Sequence, residues 1–502
     1  MKLLLTEPAV YILSTLEAAG FEAYIVGGAV RDAFLHEVNP EITVTDLDFT
    51  TNAVPEQIVA LFADTFYENE FGTVSIPAEA LHTLLGYQLP SDSLPQEKQL
   101  QNRVIDAAEA TKLHSSLIKT RLTPLNEEVT PLPAYQITTF RAGEVYDNHR
   151  QPSSMTWGST LNEDLQRRDF TINAMAIDLQ GAVIDPFNGQ ADLKNNLIRT
   201  VGDATTRFQE DALRMLRAIR FSVQLNMELD RATFSAIDEN AELLSHISGE
   251  RIRDEFLKIL KSSYPAEGVE LLDEASLLRL IVPELLMTKG VQQGGHHTTD
   301  VWIHSLDALR HCPSRDPIVR LATLLHDIAK PATSQTTQNQ ITFYNHEVIG
   351  ARVAKAIAER LRLSKRDANR IFVLVRQHMF YYQPENTDAA IRRMMRKIGL
   401  ENIDDILALR EGDRLGSGAR KTSWRLEELK QRMIGQLHQP FAITDLAVNG
   451  TDIIEHFKVK AGPVIGQTLQ HLFELVLEKP ELNDRTLLLA EAEKYLDSTI
   501  KK

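Results

Sequence analysis

The spacing of apolar residues divides the chain into an amino-terminal part with mixed helix and strand signals and a longer helical part. Apolar residues recur at helical spacing over 8–20, and the apolar stretch that follows at 22–26 predicts a strand. Further strand signals lie at 45–51, 73–76, 135–140 and 181–187, with a helical pattern at 55–65 between them. This mixture in the first ~190 residues predicts an α/β or α+β unit.

From about residue 205 the pattern is helical almost without interruption, as in 207–221 and 316–329. The chain is therefore expected to have a small head that contains a sheet and a long helical body. Residues 88–134 are rich in Pro, Ser and Gln and separate two strand signals. Because loop closure tolerates long insertions, we expect an insertion in a loop of the head here.

The composition indicates a folded protein of several domains without a disulfide framework. A length of 502 residues corresponds to roughly three domains. Lys+Arg number 54 and Asp+Glu 69, so the net charge is 54 − 69 = −15, which argues against nucleic-acid binding by bulk charge but leaves room for local basic patches. Cys312 is the single cysteine, and no apolar run approaches the ~18–20 residues that a membrane span needs. We expect a cytoplasmic protein without a membrane contact.

The segment IVGGAVRD (25–32) is the first candidate site. A predicted strand runs into Gly27-Gly28 and then into a helix. Glycines let backbone amides approach a ligand closely, and a helix N-terminus favours an anion. Arg31, about one turn into the helix, can reach a phosphate. A glycine pair before a helix is also compatible with a purely structural tight turn.

Asp46 and Asp48, in TDLDFTT, form the second candidate site. Their i, i+2 spacing puts both carboxylates on one face of a strand, where two like charges are costly unless a cation lies between them. Mg²⁺ prefers a few carboxylates together with substrate phosphates, and such a site promotes phosphoryl transfer. An isolated D-x-D is often a solvated strand face, but the glycine turn upstream favours the metal site.

The segment RRDFTINAMA (167–176) contributes Arg168, a candidate for a phosphate or sugar contact. Asp169 and Asn173 are spaced i, i+4, as on one face of a short helix. A structural salt bridge explains Asp169 equally well.

The segment RFQEDALRMLRAIRF carries one acid and three arginines that step by three along a predicted helix. They are Asp211, Arg214, Arg217 and Arg220. A carboxylate can accept from the amino group of C or A, and an arginine can donate to ring acceptors, so this stripe would accept C and A and reject U and G. The alternative is a surface helix with i, i+3 ion pairs.

A series of histidines and aspartates in helical contexts marks 295–415. Its members are His304, His326, Asp327, His346, His378 and Asp413. Ligands of this kind that converge from several helices are how helical bundles build metal sites. A lone histidine is more often a core or surface residue, but a His-Asp pair in an apolar helix is costly without a function.

Basic residues follow this series. They are Arg392, Arg393, Arg396, Lys397, Arg410, Arg414, Arg420, Lys421 and Arg425, with Trp424 among them. They predict either a phosphate-binding stripe or a solvated helix face.

The segments GGAVRD, D-L-D, RRDFTINAMA and EDALRMLRAIRF, in this order, resemble the class II tRNA nucleotidyltransferases and bacterial poly(A) polymerases of the DNA polymerase β-like superfamily. The resemblance covers roughly 1–265 apart from the insertion, and 446–485 resembles the tail of the CCA-adding branch. It implies an α+β fold with a small mixed-sheet head followed by a long all-helical neck, HD body and tail. The implied domains are the head at 1–200 with the insertion at about 88–134, the neck at 201–290, the HD domain at 291–420 and a tRNA-binding tail at 421–502.

The resemblance also implies roles for single residues. Gly28 and Arg31 would bind the incoming triphosphate, Asp46 and Asp48 would ligate catalytic Mg²⁺ and activate the 3′ hydroxyl of tRNA, and Arg168 would contact the nucleotide. Asp211 and Arg214 would form the amino-acid template that selects CTP and then ATP, and Arg217 and Arg220 would complete the pocket. Gln136 departs from the family pattern, because family strands often carry an acid there.

The expected function is template-independent addition of CCA to tRNA 3′ ends, by a monomer or homodimer. A poly(A) polymerase and an enzyme that adds only CC or only A are the alternatives. The H…HD…D series resembles HD-domain phosphohydrolases, which implies a divalent transition metal bound by His304, His326, Asp327 and Asp413. His346 and His378 would serve substrate or a second metal. Hydrolysis of a phosphomonoester or a 2′,3′-cyclic phosphate would suit repair of a tRNA 3′ end, and a retained scaffold with weak activity is the alternative.

Overall fold

The computed structural model describes residues 5–44, 47–68, 72–86, 134–147, 151–294, 299–337, 340–419, 424–437 and 439–500. Asp46, nearly all of the predicted insertion, Arg420 and Lys421 lie outside these residues. The chain forms two compact units. The first comprises Met1–Ile259 and Glu270–Leu280, and the second comprises Leu260–Val269 and Ile281–Lys502.

A seven-stranded mixed sheet with the order β3-β4-β5-β2-β1-β8-β9 forms the centre of the first unit. Its strands are β1 (Ala23–Val26), β2 (Asp48–Thr51), β3 (Phe66–Glu68), β4 (Thr73–Pro77), β5 (Ala134–Thr139), β8 (Ala176–Ile177) and β9 (Val183–Ile184), and β6 (Arg141–Asp147) and β7 (Gln151–Trp157) form a separate hairpin. Strands β2 and β5 are parallel, and the other neighbours are antiparallel. This confirms the mixed sheet that was expected for the head.

The register of the sheet explains the position of the first site. Val26, the last residue of β1, pairs with Asp48, the first residue of β2. The glycine turn follows Val26 directly, so the pairing brings Asp48 beside it. Alternate side chains such as Val74 and Ile76 are fully or almost fully buried, as the period-2 pattern predicts, and this burial fixes the register.

Several helices of the first unit pack against the sheet, and further helices follow it in the chain. In the first unit they are Glu7–Ala18, Gly28–Val38, Pro55–Leu61, Ala78–Leu84, Leu161–Gln166, Gly189–Lys194, Ala204–Glu210, Leu213–Leu225 and Arg231–Glu239, and Gly249–Lys261 and Pro265–Glu274 cross its boundary with the second unit. The two-residue strands β10 (Leu197–Ile198) and β11 (Glu228–Leu229) pair in parallel.

Two helical predictions in this unit are wrong in detail. The stripe at 207–221 is not one helix, because Asp211 is extended (φ −138°, ψ 104°) and a new helix starts at Leu213. Residues Thr171–Asn173 form a single 3₁₀ turn instead of a short α-helix. In both places the side chains have tertiary partners that local spacing does not reveal.

The second unit is mainly helical. Its longer helices are Val301–His311, Pro317–Leu325, His346–Arg360, Lys365–Gln377, Asp388–Ile398, Ile403–Gly416, Trp424–Gln436, Gly450–Phe457, Pro463–Glu478 and Arg485–Ile500, with short helices at Pro283–Leu286 and Lys330–Thr333. The short helix Leu278–Ile281 belongs to the first unit except for its last residue. One small hairpin, β12 (Gln335–Thr337) and β13 (Gln340–Thr342), interrupts the expected all-helical body. Among the described helices, none is both long and apolar enough to cross a membrane.

The helices of this unit begin where the sequence supplies N-terminal caps. The side chains of Asp300, Asp316 and Ser364 each accept a hydrogen bond from a backbone amide in the first turn. Glycine determines one close helix contact, because a Cβ on Gly412 would lie 2.5 Å from the carbonyl oxygen of Ala308. Helix Ile403–Gly416 can therefore lie directly against helix Val301–His311.

Two candidate active sites

A cavity of about 300 Å³ opens at the glycine turn of the first unit. The residues that line it are Gly27, Gly28, Ala29, Arg31, Asp32, Asp48, Arg168, Asp169, Asn173, Arg217 and Phe221. The structure thus brings together Gly28, Arg31, Asp48, Arg168 and Arg217 from the sequence-predicted set. Asp46 lies outside the described residues.

The glycine turn fits its predicted use. Gly27 has φ +76°, a conformation that side-chain-bearing residues rarely adopt, and a Cβ there would lie 3.0 Å from Nη1 of Arg168. Helix Gly28–Val38 begins at the next residue, so its first amides have no carbonyl partners within the helix. A helix N-terminus of this kind favours an anion in the cavity.

A chain of polar contacts connects four residues that line this cavity. Arg31 donates from Nη1 to Oδ1 of Asn173 (2.8 Å), and Asn173 donates from Nδ2 to Oδ1 of Asp169 (3.2 Å). Arg217 donates from Nε to Oδ2 of Asp169 (2.7 Å). Burial alone would raise the pKa of Asp169, but the charge and hydrogen bonds of Arg217, with Asn173, lower it to about 2. Asp169 forms the predicted salt bridge, and its carboxylate orients two of the cavity's polar side chains. Because Asp169 also lines the cavity, a direct role stays a prediction.

Cations gather on one aromatic ring beside the cavity. The guanidinium carbons of Arg31, Arg217 and Arg220 lie 5.2, 5.4 and 4.2 Å from the ring centroid of Phe221. Arg220 also forms an ion pair with Glu255 (2.7 Å), a contact that holds it beside the ring. This concentration of positive charge suits a polyanionic ligand. Sequence reasoning had missed Phe221, although it ends the arginine stripe.

Asp211 and Arg214 are placed differently, since neither lines the cavity. Oδ2 of Asp211 pairs with Nη2 of Arg251 (2.7 Å), and Nη1 of Arg214 pairs with Glu210 (2.6 Å). Arg214 is 8% exposed and also donates from Nη2 to the carbonyl of Arg167 (3.0 Å). Each member of the predicted template therefore has its own ion-pair partner.

The second candidate site collects the histidine–aspartate series. His304 lies on helix Val301–His311, His326 and Asp327 follow helix Pro317–Leu325, His346 begins helix His346–Arg360, His378 follows helix Lys365–Gln377, and Asp413 lies on helix Ile403–Gly416. The four imidazoles and Asp327 are buried. The structure thus brings together all six predicted residues, from five helices.

Backbone hydrogen bonds orient three of these imidazoles. Nδ1 of His326, His346 and His378 each lies 2.7 Å from a backbone carbonyl oxygen. Because a carbonyl can only accept, Nδ1 carries the proton and donates it, which leaves Nε2 to face the centre. Two lone-pair nitrogens repel each other at short range, yet Nε2 of His346 lies 3.3 Å from Nε2 of His378. That contact requires a cation or a shared proton. Nε2 of His326 lies 3.2 Å from Nε2 of His304, close enough for the two nitrogens to share a proton or a cation.

Asp327 stands between the two imidazole pairs. Its Oδ2 lies 3.4 and 3.1 Å from Nε2 of His304 and His326, and its Oδ1 lies 3.3 and 3.7 Å from Nε2 of His346 and His378. Each oxygen therefore completes a group of three donors whose ligand atoms lie within 4.8 Å of one another. Oδ1 of Asp413 adds a donor 3.2 Å from Nε2 of His304. Nitrogen and oxygen donors in this arrangement fit divalent metal ions.

The electrostatics keep both carboxylates ionised. Burial alone would raise the pKa of Asp327, but His326 and Lys330 hold it well below its usual range. Burial would likewise raise the pKa of Asp413, which His304 and His326 lower. Nζ of Lys330 lies 2.6 Å from Oδ2 of Asp327. Sequence reasoning had missed this lysine, although its i+3 spacing from the aspartate was a usable signal.

A cavity of about 540 Å³ opens onto this centre. Arg410 and Arg414, which the sequence had grouped into a phosphate-binding stripe, line it together with Phe343, Tyr344 and Met379. Tyr344 and Met379 are largely exposed. The cavity therefore combines a donor set for metal, cations and an apolar wall.

The remaining basic residues are partly used inside the fold. Arg392 is buried and donates from Nε to the carbonyl of Leu477 (2.8 Å). Arg393 and Arg396 form ion pairs with Glu478 and Glu474. These arginines are therefore not free to form a continuous phosphate-binding stripe. Among the described residues of this cluster, the exposed ones remain available to a phosphate.

Three protein families match consecutive parts of the chain. They are "Poly A polymerase head domain" at 23–87 and 92–199, "Probable RNA and SrmB- binding site of polymerase A" at 226–287, and "HD domain" at 295–414. These matches follow the order expected from the sequence motifs.

Individual relatives agree with this assignment. The chain is 38% identical over 280 residues to the CCA-adding enzyme of Geobacillus sp. (strain WCH70), an alignment that covers 56% of this chain and 55% of the relative. It is 28% identical to the CCA-adding enzyme of Ligilactobacillus salivarius (strain UCC118) over 98% of this chain and 97% of the relative. The chain thus spans about half the length of the first of these relatives and nearly all of the second.

A solved structure extends the likeness to the fold. The Bacillus stearothermophilus CCA-adding enzyme in complex with CTP superposes with a TM-score of 0.65 at 26% identity, over 99% of this chain and 100% of that chain. The motifs, the domain order and the fold lead to one assignment. Consecutive parts of the chain match the poly(A) polymerase head, RNA-binding and HD family models, and over nearly its whole length the chain is similar to CCA-adding enzymes in sequence and fold.

Proposed function

We propose that the first unit adds CCA to the 3′ end of tRNA from CTP and ATP. The observation that carries this proposal is the cavity at the glycine turn, which combines a helix N-terminus, Asp48 and a cluster of arginines. The oxygen of the tRNA 3′ hydroxyl attacks the α-phosphorus of the nucleotide and releases its proton to solvent. The bond from the α-phosphorus to the oxygen that bridges it to the β-phosphorus breaks, and this oxygen leaves as part of pyrophosphate.

The chain's own residues bind and orient the nucleotide. The amides at Gly28 and the guanidinium of Arg31 bind the triphosphate, and Arg168, which lines the same cavity, contacts the nucleotide. Asn173 and Asp169 hold Arg31 and Arg217 in place through hydrogen bonds of 2.7 to 3.2 Å. Preorganised cations of this kind stabilise charge that develops during phosphoryl transfer.

Asp48 and, from the sequence, Asp46 are the residues that would hold Mg²⁺. Asp48 lines the cavity beside Arg31, so an oxygen donor and phosphate-binding groups share one space, as Mg²⁺ sites with nucleotides require. When bound, Mg²⁺ supplies stabilisation of the charge on the transferring phosphoryl group.

Asp211 and Arg214 read the base in this proposal, with Arg217 and Arg220 completing the pocket. Their ion pairs with Arg251 and Glu210 hold the two side chains in fixed positions before a nucleotide binds. C and A each carry an amino group that can donate a hydrogen bond to a carboxylate. U and G do not present an amino group in the same place.

The test is the product ladder on tRNA that lacks its 3′ CCA. With CTP alone the product should stop after two additions, and with both nucleotides after three. A long tail from ATP alone would establish the poly(A) polymerase alternative, and a ladder that stops at CC or needs CC already present would establish partial specificity. The double variant Asp46→Ala with Asp48→Ala should lose incorporation, and incorporation that survives would contradict the assignment of these carboxylates.

The second activity in this proposal is hydrolysis of a phosphate ester by the HD domain with two divalent ions. Asp327 would help to hold both ions, since its Oδ2 lies 3.4 and 3.1 Å from Nε2 of His304 and His326 while its Oδ1 lies 3.3 and 3.7 Å from Nε2 of His346 and His378. Asp413 would complete the first ligand group. When bound, such ions activate water and stabilise the charge of the phosphoryl group. Arg410 and Arg414 bind the phosphate in the adjoining cavity.

This activity is assayed on 2′,3′-cyclic AMP with Mn²⁺ or Ni²⁺. Hydrolysis consumes one water, whose oxygen joins phosphorus while the bond to one ribose oxygen breaks and that oxygen takes a proton. The double variant His326→Ala with Asp327→Ala should lose it and should still add nucleotides to tRNA. No hydrolysis by the wild-type chain would support a retained scaffold. The monomeric or homodimeric state and the cytoplasmic location stay predictions from the sequence.

A further inference from the structure

A second cavity, of about 270 Å³, lies next to the HD centre in the second unit. Consecutive residues connect the two spaces, because His378 and Met379 line the HD cavity while Phe380 and Tyr381 line the second one. Arg410 lines the HD cavity, and its guanidinium carbon lies 5.4 Å from the ring centroid of Phe380. The two cavities therefore share a wall.

The second cavity has the chemistry of a nucleotide site. Tyr381 is 75% exposed, so a flat aromatic face is open at its edge. Arg393 and Lys397 line it, and none of the described lining residues is acidic. Arg393 is paired with Glu478, whereas Lys397 is exposed. An exposed aromatic face beside cations is the combination that binds single-stranded nucleic acid, through base stacking and phosphate contacts.

The neighbouring Tyr382 has a structural role, whereas the ring of Tyr381 is available to a base. Tyr382 is buried, and its hydroxyl accepts a hydrogen bond from Arg432 (3.3 Å). The hydroxyl of Tyr381 accepts one from the side chain of Gln383, which orients the ring and leaves its face open.

We propose that this cavity holds the nucleotide on the 5′ side of the one whose phosphate ester lies at the HD centre. The HD domain would then act on the 3′ end of a single-stranded RNA in preference to a free mononucleotide. The terminal base would lie against Tyr344 in the HD cavity, and the preceding base would stack on Tyr381. This inference rests on the proposed hydrolase function.

The experiment compares two substrates on the full chain with Mn²⁺ and no nucleoside triphosphate. One is 2′,3′-cyclic AMP, and the other is a trinucleotide that ends in a 2′,3′-cyclic phosphate. We expect kcat/KM to be at least about 10-fold higher for the trinucleotide, since base stacking on an aromatic ring is of this size. Tyr381→Ala should lower the ratio of the two kcat/KM values by about 10-fold, and Tyr381→Phe, which keeps the ring, should preserve it. Because Tyr381 is exposed, neither variant should affect folding.

The outcomes separate the two proposals. Suppose that Tyr381→Ala hydrolyses 2′,3′-cyclic AMP and that its ratio of the two kcat/KM values equals that of wild type. This result would leave the hydrolase function intact and overturn the second subsite. It is also the result expected if a protein segment covered this cavity. Absence of hydrolysis with either substrate overturns both. A matched variant, Tyr344→Ala, should lower kcat/KM for both substrates and leave their ratio within about twofold of wild type. A fall in the ratio for Tyr344→Ala as large as that for Tyr381→Ala also overturns the assignment.

Discussion

The ion pair between Asp169 and Arg217 gives a quantitative prediction for the first unit. Asp169→Asn keeps the shape of the side chain and removes its charge, so Arg217 keeps its partly buried position without a carboxylate partner. The pKa of Asp169 is lowered from 3.8 to about 2, and one pKa unit corresponds to about 1.36 kcal/mol. The ionised carboxylate therefore contributes about 2 kcal/mol to the stability of the folded unit.

The pH dependence follows from the sign of this change. Because the folded pKa lies below the unfolded one, the contribution is complete above the unfolded value of 3.8 and is lost as the pH falls through about 2. The difference between wild type and Asp169→Asn should thus be the same at about pH 5.5 and about pH 8. Addition of nucleotides to tRNA should also weaken, because Asn173 and Arg217 lose the charged group that orients them.

Equilibrium urea unfolding of the full chain, followed by circular dichroism, measures the free-energy difference. The control is Asp64→Asn, an exposed residue of the same unit, which should change stability by less than about 0.5 kcal/mol. If Asp169→Asn unfolds at the same urea concentration as this control, the ion pair adds nothing to stability and the reasoning fails. A difference that grows between pH 5.5 and 8 would point to another titrating group.

Three further predictions concern single contacts. Gly412→Ala should destabilise the second unit by about 1–3 kcal/mol and reduce phosphate-ester hydrolysis, because the new methyl group would meet a carbonyl oxygen of the facing helix at 2.5 Å. Thermal unfolding measures this change. The matched control is Gly435→Ala, because a Cβ at that position meets nothing within 4 Å. After dialysis against Mn²⁺, elemental analysis should find one ion fewer per chain than in wild type for His378→Ala and two fewer for Asp327→Asn. Equal losses in the two variants would argue against a carboxylate shared by two ions. Arg251→Gln removes the ion pair that holds the carboxylate of Asp211, the proposed template residue. Misincorporation of UTP and GTP relative to CTP should therefore rise on tRNA that ends in the discriminator base. Unchanged selectivity would contradict this role of Arg251.

Sequence patterns predicted the individual elements well where local chemistry decides them. Period-2 apolar positions predicted strands β4 and β5 to within about two residues, and capping residues such as Asp316 mark helix starts. The glycine turn before Arg31 was predictable because a positive φ is a local backbone requirement. The domain order followed from motifs, which are also local.

Local spacing could not reveal which side chains meet across the fold. Asp211 and Arg214 look like one helical pair, yet each forms an ion pair with a different residue because a break in the helix separates them. The division of the HD donors into two groups depends on which oxygen of Asp327 faces which imidazole, a matter of helix packing.

The sequence by itself indicated the order of the matched family regions, five of the seven strands of the head sheet and the residues capable of metal and phosphate chemistry, since these follow from residue type and near-neighbour spacing. It did not predict β3 and β8, which are only three and two residues long. The tertiary structure decided that Asn173 links Arg31 to Asp169, that Lys330 lies against Asp327, and that a cavity open to Tyr381 adjoins the HD centre. The physical reason is that hydrogen bonds, ion pairs and cavities form between groups far apart in the chain, and only the packing of helices and strands fixes those distances.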